Sequence, residues 1–163
     1  MAVQNGNKIR LVVVTPYTTF FEDKVDIISI PSVDGEIGIM FGHSPLVAAI
    51  TPGVCRIVNN GETKHFSCAE GYAEIGHHVA LIVCNSAEWP DDISIPRIVK
   101  AYKDASAKLE EEKAMKSEQG IELTSDTLNM LKRAKARMHL IELAGTQAQR
   151  SRLEEWKRNG NVE

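Results

Sequence analysis

Few side chains in this sequence have the type and spacing to do chemistry. Asp34-Gly35-Glu36 places two carboxylates beside a tight turn, and His43 follows seven residues later. Paired carboxylates with an imidazole can carry acid–base chemistry, so a small hydrolase built on Asp34, Glu36 and His43 is one reading. No nucleophile or metal partner stands near them in sequence, and a solvated turn is the other reading. His77 and His78 are adjacent; on a strand they point to opposite faces and cannot share one metal, whereas in a turn they can approach each other. His65 and His139 stand alone and are expected at the surface. Cys55, Cys68 and Cys84 form no C-x-x-C pair, so zinc-finger and redox-motif spacings fail. They read as small buried apolar groups of a reducing compartment. No G-x-x-x-x-G-K-[ST] loop is present, so no ATP hydrolysis by this chain alone is expected. No catalytic residue and no metal site is assigned.

The elements that must position these groups fall into two halves. The 163 residues are 43% hydrophobic and 25% charged, the balance of a globular protein, with length for one ordinary domain or two small ones. A net charge of −3 gives no whole-chain basic field for nucleic acid. No apolar run nears the roughly 18 residues of a membrane span, and Met1–Gly6 carries no secretory pattern. A membrane is therefore expected to be met only through a partner, from the cytoplasm.

Up to about residue 88 the grammar is that of strands. Lys8–Val14 alternates and stops at Pro16. Val25–Ile30 is apolar on both faces, which predicts a strand between two layers. Gly35, Gly38 and Gly42 predict a segment that turns often. Leu46–Ile50 closes at Thr51-Pro52-Gly53. Val54–Val58 and Glu62–Cys68 flank Asn59-Asn60-Gly61, and Asn-Gly predicts a type I′ hairpin because both central residues need positive φ. Tyr72–Ile75 and His78–Cys84 meet at Gly76. Short strands with Gly/Pro turns predict an all-β N-terminal domain, residues 1–88, as an antiparallel sandwich or flattened barrel.

Residues 89–163 predict a helical hairpin. Pro90-Asp91-Asp92 marks a linker, Ser94 can cap a helix, and Pro96 fits its first turn. That helix is expected to run to about Glu118, break at Gly120, and be followed by a second helix from Thr124-Ser125-Asp126 toward Lys157. At 1.5 Å per residue these antiparallel helices are about 35 and 48 Å long. Their stripes are Ile95, Ile98/Val99, Tyr102, Ala105 and Leu109, then Leu128, Leu131, Ala134, Met138, Ile141 and Ala148. Much of each stripe is small, so a hairpin that docks weakly, and can leave, is expected.

The run Thr15-Pro16, Phe20-Phe21, Ile30-Pro31, Asp34-Gly35-Glu36-Ile37-Gly38-Ile39, Gly42-His43-Ser44-Pro45-Leu46, Pro52-Gly53 and Gly71-Tyr72-Ala73-Glu74-Ile75 resembles the N-terminal sandwich of F-type ATP synthase ε subunits. Leu131-Lys132-Arg133-Ala134, Arg137-Met138 and Ile141-Glu142-Leu143 resemble their second helix. The resemblance implies a non-catalytic central-stalk subunit on the cytoplasmic face of a bacterial inner membrane. Its implied partners are the γ subunit, the c-subunit ring and, through the helices, the α/β hexamer. It implies coupling of rotation to ATP synthesis, and a hairpin that folds down or extends to restrain hydrolysis. The Glu36–Leu46 loop is then expected at the c ring or γ, with Glu36, Gly42, His43 and Pro45 as contacts. Lys132, Arg133, Lys135 and Arg137 offer helix two a basic face for an acidic one on the β subunits.

Some relatives of this family bind ATP through an I/L-D-x-x-R-A motif and arginines of helix two. The matching stretch here is Ile93-Ser94-Ile95-Pro96-Arg97-Ile98, which keeps Arg97 but has Ser94 for the acid and Ile98 for the alanine. Glu88, Arg97, Arg133 and Arg137 can gather round a nucleotide if the hairpin folds down, making ATP a weak regulatory ligand. In the other reading the three arginines are a solvated or partner-facing surface, and there is no cofactor.

Overall fold

A computed structural model describes residues 7–119 and 124–161 of the chain. The chain divides into two units, Met1–Glu88 and Trp89–Glu163.

The first unit is a ten-stranded sheet. Its strands are β1 Ile9–Val14, β2 Thr19–Val25, β3 Ile27–Ser32, β4 Gly35–Met40, β5 Leu46–Ile50, β6 Gly53–Asn59, β7 Glu62–Cys68, β8 Gly71–Ile75, β9 Val79–Cys84 and β10 Ala87–Glu88. The order is β10-β7-β6-β3-β5-β8-β9-β1-β2, with β4 on β3. The sheet curls until its edges nearly meet, Phe20 of β2 lying 5.3 Å from Phe66 of β7. This is the expected flattened barrel, with one parallel pair, β1 on β9, among antiparallel ones. Alternation supplies the core: Ile9, Leu11 and Val13 of β1, Ala80 and Ile82 of β9, and Ile28, Ile30, Ile39, Ile57 and Phe66 are buried. Asn60 and Gly61 have φ of 52° and 80°, as the type I′ hairpin requires.

Two strand expectations are corrected, and one strand was not expected. Val25–Ile30 is two strands, because the chain bends at Asp26, whose carboxylate accepts the Asn60 amide at 2.7 Å. The charged stretch Thr19–Val25 is a strand of its own, paired along β1. The glycine-marked segment is mostly strand: Gly35–Met40 pairs with β3 from Ser32↔Gly35 to Ile27↔Met40. Gly35 and Gly38 lower intrinsic strand preference, but an extended partner on one side is enough to hold them.

The second unit has a 3-10 turn at Pro90–Asp92, then α1 Ile95–Gln119, α2 Ser125–Ala144, α3 Gln147–Trp156 and a π-helical turn at Lys157–Asn161. The expected break at Gly120 lies outside the described residues. The α1 stripe is as read: Ile95, Ile98, Tyr102, Ala105 and Leu109 are buried. On α2 the stripe shifts to Thr127, Ala134, Ala136, Met138, Leu140 and Ile141, and Leu128 is 37% exposed.

The second helix does not continue to Lys157. It ends at Gly145, and Thr146 starts α3 with a capping box: the Gln149 amide donates to the Thr146 hydroxyl, and the Gln149 side chain accepts from the Thr146 amide at 2.8 Å. Ala148 is consequently exposed. Leu153, 1% exposed, becomes the buried anchor of α3, and Trp156 packs edge-on against Tyr102 of α1 at 5.6 Å. Among the described residues no helix is long and apolar enough to cross a membrane.

Candidate functional site

The strands place the proposed contact residues at two opposite ends of the sandwich. Glu36 follows the β3–β4 turn, whereas Gly42, His43 and Pro45 lie past the far end of β4. Six residues of strand at about 3.3 Å each separate them by roughly 20 Å. The expected single Glu36–Leu46 loop therefore does not exist as one surface. For the same reason Asp34 and Glu36 cannot work with His43 on one bond, and the hydrolase reading fails on geometry.

Each end has its own construction. Glu36 is exposed and pairs with Arg56 at 3.4 Å, and Arg56 also donates to the Ser29 hydroxyl at 3.0 Å. Val33 and Tyr17, 68% and 94% exposed, stand on turns at this same end. At the other end the β4–β5 loop is pinned. The Gly42 amide donates to the His77 carbonyl at 2.7 Å, and the His43 amide to Met40 at 3.1 Å. Nδ1 of His43 donates to the Ser44 carbonyl at 2.7 Å, and Phe41 lies 4.8 Å from the His78 ring. Gly42 has φ +81°, which a side chain would strain. His43 thus reads as a pin of the loop.

His77 and His78 sit in the β8–β9 turn, both exposed, with ring centroids 6.3 Å apart. No group of three or more metal-ligating side chains occurs among the described residues. His139 is exposed on α2; His65 is half-buried, because β7 continues inward toward Phe66.

The sequence reading did not pick out the outer face of β5, β8, β9 and β1. The registers align Val47, Glu74, Leu81 and Val12 in one row and Ala49, Tyr72, Val83 and Val14 in the next. These are the positions alternate to the core, where polar residues belong on a solvated sheet. Instead the rows are mostly apolar, with Val47 71% and Tyr72 47% exposed. A groove of about 480 Å³ runs along the face, lined by Arg10, Val12, Pro45, Glu74, Ile75, Gly76, Val79 and Leu81. Pro45 joins the pinned loop to this face. The signal was legible: Val79–Cys84 and Ile9–Val14 are apolar at nearly every position.

In the helical unit, α1 and α2 run antiparallel. Glu112 of α1 reaches the start of α2, accepting from the Thr127 hydroxyl at 2.6 Å, the Thr124 hydroxyl at 2.9 Å and the Thr124 amide at 3.2 Å. The Thr127 bond is the main cause holding its carboxyl below the usual value. This contact sets the register, so Arg97 lies level with the region of Glu142. At 1.5 Å per residue Arg133 is then roughly 13 Å further along the hairpin. Arg133 and Arg137 share one stripe, one turn apart, and burial followed by the charge of Arg137 lowers the pKa of Arg133. Lys132 and Lys135 form a second, exposed stripe. The expected single basic face is two. Arg97 is exposed in the first turn of α1, and Glu88 belongs to β10 of the other unit.

Residues 8–90 match the family model described as the beta-sandwich domain of the ATP synthase delta/epsilon chain. The chain is 36% identical over 104 residues to the ATP synthase epsilon chain of Caldicellulosiruptor saccharolyticus, covering 64% of this chain and 76% of that one. It is 32% identical over 104 residues to the epsilon chain of Alkaliphilus oremlandii, covering 64% and 78%. A chain of the Euglena gracilis mitochondrial ATP synthase superposes with a TM-score of 0.64 at 21% identity, covering 87% of this chain and 86% of that chain, a likeness of fold.

Proposed function

Because the chain belongs to the ATP synthase delta/epsilon family, as a non-catalytic epsilon chain of the central stalk in a membrane-associated complex, we propose how its two units divide the work. The sandwich grips the γ subunit through the apolar outer face of β5, β8, β9 and β1. The exposure of Val47 and Tyr72 on that face is the observation that carries the reading, because water-facing apolar rows of this extent mark an interface. Gly42, His43 and Pro45 border the same face and go with γ. The opposite end, with Asp34, Glu36, Val33 and Tyr17, meets the polar loops of the c ring. One body held at both ends transmits torque between ring and shaft, which couples ion-driven rotation to ATP synthesis.

The helical unit is the regulator. Its stripe of small residues supports a hairpin with two docking sites of similar free energy, one folded and one extended along γ into the α/β hexamer. Lys132 and Lys135, exposed on α2, suit an acidic surface on the β subunits. The complex then lies at the cytoplasmic face of a bacterial inner membrane. A chain ending at Glu88 tests this: it should still bind γ, while the reassembled enzyme loses its restraint on ATP hydrolysis. Equal hydrolysis rates with full-length and shortened chains would remove the regulatory part.

The stripe of Arg133 and Arg137 favours a second reading, in which ATP clamps the hairpin. Two guanidinium groups one turn apart offer paired N–H donors at a spacing that suits a phosphate. Calorimetry with MgATP on the full chain and on Arg133→Ala separates the readings; no heat with either chain leaves only the first.

A further inference from the structure

The three cysteines, unused by the stalk function, are not equivalent. Cys55 on β6 and Cys68 on β7 are both buried, and the Cys55 thiol points its proton at the Cys68 sulfur, Sγ to Sγ 3.4 Å. They sit diagonally on one face of a hairpin, two rungs apart, where Gly53 faces Cys68 and Cys55 faces Phe66. Cys84 lies on β9 and turns its sulfur toward the Val14 carbonyl at 3.9 Å.

We propose that Cys55 and Cys68 are an oxidative modification site, a dithiol that a small-molecule disulfide converts into a bond stapling β6 to β7. The sulfurs already touch at 3.4 Å; a disulfide at about 2.05 Å needs about 1.4 Å of closure between them, and because diagonal positions on paired strands stand wider apart than opposite ones, β6 and β7 must draw together slightly as it forms. The order of attack follows from the environments. The Cys55 thiol, with the backbone of Gly53, favours the thiolate of Cys68, whereas burial pushes the Cys55 thiol up. Burial raises Cys84 to about 12, which keeps it a thiol.

Cys68 thiolate attacks one sulfur of the oxidant RSSR; that S–S bond breaks, and RS⁻ leaves with the electron pair. RS⁻ takes the Cys55 proton and departs as RSH. The Cys55 sulfur then attacks Cys68 Sγ and expels the second RS⁻, which takes up the proton lost earlier from Cys68. Two protein thiols are oxidised and one RSSR is reduced to two RSH. Cys68 is reached by opening of the end of β7, whose outer edge is held by β10 through only two pairs, Ala87↔Cys68 and Glu88↔Ser67. So short an edge strand frays readily.

The full chain is treated with oxidised glutathione in native buffer, quenched by alkylation under denaturant, and mapped by mass spectrometry. A dithiol protein of known potential serves as the positive control. The expected result is a mass lower by about 2 Da, a Cys55–Cys68 cross-linked peptide, alkylated Cys84, and full reversal by dithiothreitol. Cys84→Ser should close the same bond. Cys55→Ser should stop at a glutathione adduct on Cys68. Three alkylated cysteines while the control oxidises, a bond that includes Cys84, or a lasting adduct on the unsubstituted chain would each overturn the proposal; if Cys55→Ser fails to fold, the map of the unsubstituted chain decides.

Discussion

Val47 tests the proposed shaft-binding face, because its exposure separates binding from folding. It points outward from β5, 71% exposed, directly opposite Glu74 on β8. Two substitutions put opposite charges there. Val47→Lys gains an opposite-charge cross-strand pair with Glu74, and Val47→Asp gains a like-charge one, each about 0.2–1 kcal/mol in opposite directions. Folding stability should therefore move slightly up for Lys and slightly down for Asp. Binding to γ should fall for both. Each loses about 1 kcal/mol of Val burial, from the roughly 1.5 kcal/mol of a full Val side chain, the share still exposed in the free chain. Each also takes a charge out of water, Asp with no partner and Lys with only Glu74, at about 2–3 kcal/mol or more. The sum of about 3–4 kcal/mol weakens binding roughly 150- to 700-fold. Urea denaturation of the full chain gives the first quantity, and titration against purified γ subunit the second. Binding within threefold of the unsubstituted chain for either variant would refute the assignment of this face. A loss of more than about 2 kcal/mol of stability in both would refute its exposure.

Thr127→Val should make the helical unit less stable at neutral pH and flatten its acid dependence. The Glu112 carboxyl is held below its ordinary value, mainly by Thr127, so that contribution is complete above the unfolded carboxylate pKa and is lost as pH falls through the lowered folded value. Helical circular dichroism in urea at neutral and acid pH checks this; an unchanged pH slope would contradict it. Leu153→Ala should cost about 2–4 kcal/mol of α3 docking, seen as at least tenfold faster amide exchange in residues 147–156 with the sandwich unaffected. Gly71→Ala should destabilise the sandwich by about 3 kcal/mol or more, because a Cβ there would stand 2.0 Å from the Val83 carbonyl oxygen. A thermal midpoint close to that of the unsubstituted chain would show that β8 and β9 are spaced differently.

The amino-acid sequence by itself determined what depends on near neighbours in the chain. Apolar runs at Ile9–Val14 and Val79–Cys84 set two core strands, Asn60-Gly61 set a hairpin, and the 3.6-residue stripe from Ile95 to Leu109 set the inner face of α1. The start of α3 was also written locally, in Thr146-x-x-Gln149, but the apolar spacing across Gly145 suggested one helix. Tertiary structure alone decided the rest. Thr19–Val25 and Gly35–Met40 are strands because β1 and β3 offer them a ladder, although their charges and glycines do not ask for one. β4, once extended, carries Glu36 away from Gly42, His43 and Pro45. Rows such as Val47–Glu74–Leu81–Val12 exist only after the β8–β9 hairpin comes into register with β5 and with the distant β1. The β6–β7 hairpin, already marked by Asn60-Gly61, brings Cys55 and Cys68 into contact, but which face they share is decided by the register. The apolar character of β1 and β9 is visible along the chain, but which of their residues stand side by side on the outer face appears only when the sheet is assembled.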